Sequence, residues 1–372
     1  MSKMTKWMVG ASAATVLVTV VGCGTANNAS GNNSASGSNN TTSGSSQKVT
    51  LAETGSSLLY PLFNGEWIDA YKSVAPNVTM TAASTGSGQG QSDALAGNVQ
   101  IGGSDAYYPD AIMSQHPEML NIPMAISAQQ VMYYLPTLSA STHLKLSADV
   151  LAKIYEGKIT KWNDPAIQAL NSGVKLPSLS ITPVVRSDSS GDTFLFSSFL
   201  SAADSTFQPN TQESWPSVQA EVGAQGNDGV VSTMTKNKGS IGYVGISWLD
   251  QGTQAGLGYA ALKNKDGNFV LPTSQDIQAA ATNMPSTIPA DERVSLIDMP
   301  GKDSYPIINF EYALVNSKQA NSATATALKN FLNWAISPTG GNQSQYLNPV
   351  HFQPLPSNLE AASQAQISKI QG

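Results

Sequence analysis

Between Val184 and Phe196 the chain reads V-V-R-S-D-S-S-G-D-T-F-L-F. The apolar residues Leu179, Ile181, Val184 and Val185 stop at Arg186 and give way to a Ser/Gly loop. Phe194, Phe196 and Phe199 then recur at spacings that suit a buried helical face. Strand, small polar loop and helix in that order aim backbone N–H groups and a helix dipole at whatever sits in the loop. Arg186 and Arg293 are the only arginines in the chain. The planar fork of donors on Arg186 suits a tetrahedral oxyanion. An ordinary turn with a solvated arginine would read the same way on its own, but related loops occur upstream.

The first of these follows the short strand Val49-Thr50-Leu51, where Thr54-Gly55-Ser56-Ser57 precedes Leu58, Leu62, Trp67 and Tyr71 at helix-compatible spacings. In the second, Val78–Thr81 reads as a strand and Thr85-Gly86-Ser87-Gly88-Gln89-Gly90 as its loop, with a helix opening at Ser92 to Leu95. A third strand, Val99-Gln100-Ile101, ends on Gly102-Gly103-Ser104-Asp105. Alternating strands and helices with Ser/Gly loops after the strands predict an α/β fold with its ligand chemistry at strand C-termini. Asp105 can also be read as a plain helix N-cap.

Two stretches are extended and apolar: Ala125 to Leu135, and Pro306 to Tyr312. They read as two hinge crossings around an inserted domain, giving lobe I over 48–134 plus 306–372 and lobe II over 135–305. A folded part of this length exceeds one comfortable core.

The N-terminus reads as a targeting segment. Lys3 and Lys6 precede an apolar run, Met8 to Val21, too short and too rich in small residues for a comfortable membrane span. It closes on Val20-Val21-Gly22-Cys23, which looks like a bacterial lipobox. Residues 1–22 would be the signal peptide and Cys23, the only cysteine, the lipidated N-terminus. From Gly24 to Gln47 the chain is almost wholly Gly, Ser, Asn, Thr and Ala, a composition that predicts a flexible tether.

The formal net charge is −6, and loss of Lys3 and Lys6 with the leader makes the remainder more acidic. This argues against nucleic acid as a partner, and any bound anion must be held by local donors. No G-K-[ST] run accompanies the Gly-rich loops, which disfavours a nucleotide P-loop. No His/Cys cluster suggests a metal. Gly102 to Ala106 approximates a nucleophile elbow with Ser104 at its centre, the feature a serine esterase or phosphatase would need. The three histidines, His116, His143 and His351, sit in no motif that would serve it as base.

Six motifs occur in order: T-G-S-S-L-L-Y-P (Thr54–Pro61), T-G-S-G (Thr85–Gly88), G-S-D-A (Gly103–Ala106), Y-E-G-K-I-T-K-W-N-D-P (Tyr155–Pro165), R-S-D-S-S-G-D-T-F (Arg186–Phe194) and G-N-D-G (Gly226–Gly229). Together they resemble the PstS family, the phosphate-binding lipoproteins of phosphate ABC importers, particularly its actinobacterial-type members. The resemblance runs from Lys48 to the C-terminus. It implies a two-lobed, type II periplasmic-binding fold that closes on inorganic phosphate and is no enzyme. Its partners would be the importer's permease and ATPase subunits, with lipid holding it at the extracytoplasmic face of the cell membrane and no cofactor. Carried over by residue, Ser57 and the Leu58 N–H would hold the anion from lobe I, with Ser87 adding a hydroxyl and Asp105 accepting a ligand proton. From lobe II, Arg186 would supply the charged fork, oriented by Asp188, while Ser190 and Gly191 donate at a helix N-terminus. Asp192 stands where the enteric members carry threonine, so a second acceptor would face the ligand. Binding of another oxyanion, molybdate or sulfate, is the alternative.

Overall fold

The computed structural model describes residues 47–139, 141–212 and 218–372. Cys23, the leader and nearly all of the tether lie outside the described residues. In chain order the strands are β1 (Val49–Gly55), β2 (Val78–Thr81), β3 (Ile101–Ser104), β4 (Met119–Tyr133), β5 (Lys145–Leu146), β6 (Thr182–Arg186), β7 (Val222–Ala224), β8 (Ser240–Gly245), β9 (Gly258–Tyr259), β10 (Ala261–Lys263), β11 (Phe269–Val270) and β12 (Ile308–Asn316). The main sheet runs β2-β1-β3-β12-β4-β8-β6-β7, with β9 also paired to β4, while β11-β10-β5 form a small separate sheet.

This is the expected two-lobed α/β architecture, and β4 is the strand the two wings share. All of its residues are buried. From Met119 to Ala128 it pairs antiparallel with β12, and from Gln129 to Tyr133 with β8. The second crossing lies beside the first, since the Gln129 N–H donates to the Ile307 carbonyl at 3.0 Å. Burial on both faces explains why these strands read as continuous apolar runs rather than as alternation. Their polar exceptions, Ser127, Gln129, Gln130, Asn309 and Glu311, are also buried.

The first wing is nailed together by aromatic residues. Leu62 to Trp67 forms a π turn that runs into the α-helix Ile68–Val74. The interval from Leu62 to Trp67 is one residue too long for an α turn, and the wider turn keeps both side chains on the buried face. Trp67 meets Phe63 edge-on at 5.2 Å and donates its indole N–H to the Gly341 carbonyl at 2.9 Å. Tyr71 packs on Phe331 at 5.1 Å.

Several expectations shift, the third strand among them, since β3 spans Ile101–Ser104 and takes in most of the stretch read as its loop. The second helix spans Ser87–Ala96 rather than opening at Ser92, because Gly86, at φ +94°, turns the chain so that Ser87 already lies in the first turn. Phe196 and Phe199 form the buried face of the helix Gly191–Ser201, whereas Phe194 is only half-buried and meets Tyr107 of the first wing at 5.9 Å.

Glu53 in β1 is fully buried, and neither of its oxygens makes a well-formed hydrogen bond. Burial pushes its carboxyl up to about 8, offset only in part by the Ala83 and Gly103 backbone amides. The folded state therefore holds this proton where the unfolded chain, titrating near 4.5, has lost it. The contribution to stability is complete below about 4.5 and is lost as pH rises to about 8. The shift corresponds to a ceiling of roughly 5 kcal/mol. Glu53→Gln, which stays neutral, should melt close to wild type at pH 4.5 and several degrees above it at pH 8.5. Parallel melting curves across that range would refute the assignment.

Candidate functional site

Four helices begin at the junction of the two wings, three of them preceded by a Ser- or Gly-containing turn and the fourth opening on Gly226. They follow Ser56-Ser57, Gly86, Ser190 and Gln225. Small residues let these turns approach one another. A Cβ on Gly191 would stand 2.4 Å from Asp105 Oδ2 and 2.6 Å from Ser87 Oγ, and one on Gly86 would stand 2.6 Å from Asp188 Oδ2. Backbone contact completes the meeting, with the Gly88 N–H donating to the Ser189 carbonyl at 2.9 Å.

Arg186, at the end of β6, is 4% exposed, so its charge must be answered by protein groups. Nε and Nη2 donate to the two carboxyl oxygens of Asp188, a bidentate pair. Nη1 donates to Asp192 Oδ2 at 2.7 Å. The Tyr243 hydroxyl accepts the Arg186 backbone N–H at 3.0 Å and meets Thr193 Oγ1 at 2.9 Å, so the strand end is pinned as well. Burial works against the Asp188 carboxylate, but the hydrogen bond and charge of Arg186 hold it below the usual range. Asp192 goes the other way. It is fully buried, and desolvation raises it more than Arg186, Gln129 and Asn227 lower it.

Asp192 is also the hub that ties in residues the sequence left unassigned. Asn227 Nδ2 donates to Asp192 Oδ2 at 2.7 Å and to Ser57 Oγ at 2.9 Å, and Asn227 Oδ1 accepts the Gly245 N–H at 2.8 Å. Gln129 Nε2, on β4, donates to the Asp192 carbonyl at 2.7 Å and to Oδ1 at 3.1 Å. Asn227 lies in the G-N-D-G motif, a signal that marked the place without giving the role.

Asp105 is the second buried carboxyl. Ser56 Oγ donates to its Oδ1 in a short contact, and Ser87 Oγ donates to Oδ2 at 3.3 Å. Ser56 Oγ in turn accepts the Leu58 and Leu59 amides at 3.1 and 3.0 Å. Burial, then the charges of Glu311 and Asp192, push the Asp105 carboxyl well above the carboxylate range. Glu311, on β12, is itself raised to about 7, chiefly by burial. No helix starts at Asp105, since the next begins at Asp110, so the simple N-cap reading does not hold.

The structure thus brings Ser57, Leu58, Ser87, Asp105, Arg186, Ser190, Gly191 and Asp192 into one buried cluster. It also adds Ser56, Gln129, Asn227 and Glu311. Ser190 caps its own helix, accepting the Asp192 N–H at 3.0 Å. Around the rim, Trp248 Nε1 donates to the Ser57 carbonyl at 2.9 Å and Ser247 Oγ to the Leu58 carbonyl at 2.7 Å. Ser104 braces the turn instead of facing a base. Its hydroxyl donates to the Ala106 carbonyl at 2.6 Å, while the histidines pair elsewhere, with Glu118, Tyr259 and Asp250.

A family model described as a PBP superfamily domain matches residues 37–339. The chain is 33% identical over 324 residues to the phosphate-binding protein PstS of Pasteurella multocida (strain Pm70), covering 86% of this chain and 90% of that protein. It is 30% identical over 370 residues to the phosphate-binding protein PstS3 of Mycobacterium bovis (strain BCG / Pasteur 1173P2), covering 97% of each. Among solved structures, a high affinity periplasmic phosphate-binding protein (PfluDING) bound with phosphate superposes with a TM-score of 0.69 at 19% identity, over 85% of this chain and 93% of that one. The phosphate-binding protein from Stenotrophomonas maltophilia gives 0.67 at 20% identity over the same shares. At such identities the two structures speak for the fold, while the sequence relatives speak for descent. The chain belongs to the PstS family of phosphate-binding proteins.

Proposed function

We propose that this protein binds inorganic phosphate in the buried cluster between its wings and delivers it to the permease and ATPase of an ABC importer. The observation that carries the reading is the convergence of four helix N-termini and one buried arginine on Asp105 and Asp192. Helix N-termini offer amides and partial positive charge to an anion without net cation. The carboxyls favour an anion that brings its own proton, as phosphate does, over one that only accepts. The eight residues expected from sequence are the proposed ligand set, and Asn227 joins it through Ser57. The contact between Gly191 and Asp105 means the wings must part to admit the anion. The lobes are proposed as 48–134 plus 306–372 and 135–305, hinged at β4 and the return crossing. No helix among the described residues is long and apolar enough to cross a membrane. Attachment is assigned to lipid on Cys23, after removal of residues 1–22, at the extracytoplasmic face.

Titration of tryptophan fluorescence with phosphate, sulfate and molybdate tests the ligand, because Trp248 spans the junction. Saturation by phosphate at far lower concentration than by the other anions is expected; a preference for sulfate or molybdate would overturn the reading. Gly191→Ala places a methyl against Asp105 and Ser87, and overpacking of 1–3 kcal/mol should weaken phosphate binding by about 10- to 100-fold with little change in melting temperature. Wild-type affinity would show the wings do not close there.

Asp192 competes with the anion for Arg186. As pH rises phosphate loses its second proton and with it a donor for the buried carboxylates, so binding should weaken by about tenfold from pH 6 to pH 8.5, one pKa unit's worth. Asp192→Thr removes the competitor, and calorimetry should show tighter binding with a flatter pH profile. Identical profiles would place Asp192 outside the ligand's reach. Mass spectrometry of the membrane fraction should find a mature N-terminus at acylated Cys23, and Cys23→Ala should abolish it.

A further inference from the structure

Next to Asp105 lies a polar chain built on the two crossing strands. Glu311 Oε1 is 2.5 Å from Ser127 Oγ and 3.0 Å from Asn309 Nδ2. Ser127 Oγ is also 2.7 Å from Asn309 Oδ1. Asn309 Nδ2 donates to the Phe310 carbonyl at 2.9 Å, which fixes the amide's orientation, and reaches the Asp105 carbonyl at 3.5 Å. Glu311 is fully buried, and its Oε2 has no N–H or O–H directed at it among the described residues. The antiparallel register of β12 and β3 sets Tyr312 opposite Ser104, so Glu311 stands opposite Asp105 and the two carboxyls come within reach of one another.

Proton counting decides what this arrangement contains. Ser127 has one hydroxyl proton for two oxygen neighbours, Asn309 Oδ1 and Glu311 Oε1, and neither is a donor when Glu311 is ionised. Ser56 has one proton, and it is committed to Asp105 because Ser56 Oγ already accepts two amides. Two ionised carboxylates in contact would both be acceptors, at like charge and out of water. The charged groups nearest this pair are Asp192 and, through it, Arg186; Ser56, Ser87, Ser127, Asn309 and Gln129 are neutral. Arg186 is taken up by Asp188 and Asp192, so among the described residues no cation beside the pair is left to neutralise a second charge.

We propose that Glu311 is a positioning residue that shares a single proton with Asp105 and so sets what Asp105 presents to the ligand. With the proton on Glu311 Oε2, Asp105 is an acceptor for a protonated phosphate oxygen. With the proton moved to Asp105, which leaves Glu311 ionised and the pair's charge unchanged, Asp105 donates to an anion that has only acceptors. The pair therefore softens the selectivity that a lone carboxylate would impose. The inference rests on the phosphate reading of the site, which the experiment tests separately.

Glu311→Gln keeps an oxygen for Ser127 and Asn309 but turns a fixed amide donor toward Asp105, holding it ionised. At pH 6, calorimetry should show phosphate affinity within about threefold of wild type and sulfate affinity lower by at least about tenfold, roughly one hydrogen bond's worth. An unchanged or smaller phosphate-to-sulfate ratio would overturn the proposal. Infrared difference spectra of the ligand-free proteins give an arm that needs no binding. Wild type minus Glu311→Gln at pH 7 should contain the carbonyl stretch of a protonated carboxyl, with the Glu53 band cancelling. Absence of that band refutes the shared proton even if phosphate binds. A band in a protein that fails to bind phosphate overturns the phosphate reading and leaves the pair standing. Should the glutamine variant not fold, Asp105→Asn against wild type supplies the same spectral test, since the pair's proton is then lost to an amide.

Discussion

A single guanidinium governs this molecule's interior. Arg186 is the charged donor buried at the junction, and it faces Asp188 and Asp192 at once. Paying the desolvation of one cation with two anions leaves the neighbourhood acidic, and every further group in the cluster is arranged around that imbalance. Serine hydroxyls, the Asn227 and Gln129 amides and the starts of four helices supply the missing positive potential as dipoles. Dipoles disperse charge without adding a titrating cation, which fits a chain of formal net charge −6.

Those dipoles can be aimed only because β4 belongs to both halves of the sheet. Gln129 sits where the strand changes partner from β12 to β8, and its side chain reaches Asp192 at the start of a second-wing helix. Two residues earlier on the same face, Ser127 begins the chain to Asn309 and Glu311. Fully buried polar groups on a central strand are costly unless each finds a partner. For Gln129 and Ser127 the partners are Asp192 and the Asn309–Glu311 pair, so this part of the sheet's interior and the site form one hydrogen-bonded body.

Much of this was legible in the chain. Arg186 stood out by scarcity, and the Ser/Gly turns announced helix starts through the residue types such turns need. Other parts were hidden for identifiable reasons. Ser56 and Ser57 are neighbours with the same chemistry, yet one hydroxyl serves Asp105 and the other Asn227, a choice made by the turn's three-dimensional path. Asn309 and Glu311 carry a two-residue period that marks one face of a strand. Their aromatic neighbours Phe310 and Tyr312 dominated the reading of that stretch. Ser92 looked like a helix start because Gly86 and Gly88 read as loop, whereas Gly86 alone makes the turn.

The partner change at Gln129 has a mechanical consequence. On the proposed closure, swinging one wing against the other would concentrate backbone rotation near the residue where β4 leaves β12 and joins β8. That same residue holds the start of the helix Gly191–Ser201 through the carbonyl and carboxyl of Asp192. On the proposed closure the pivot and the sensor would be one residue, gearing the angle between the wings to the occupancy of the cleft without a relay through intervening structure.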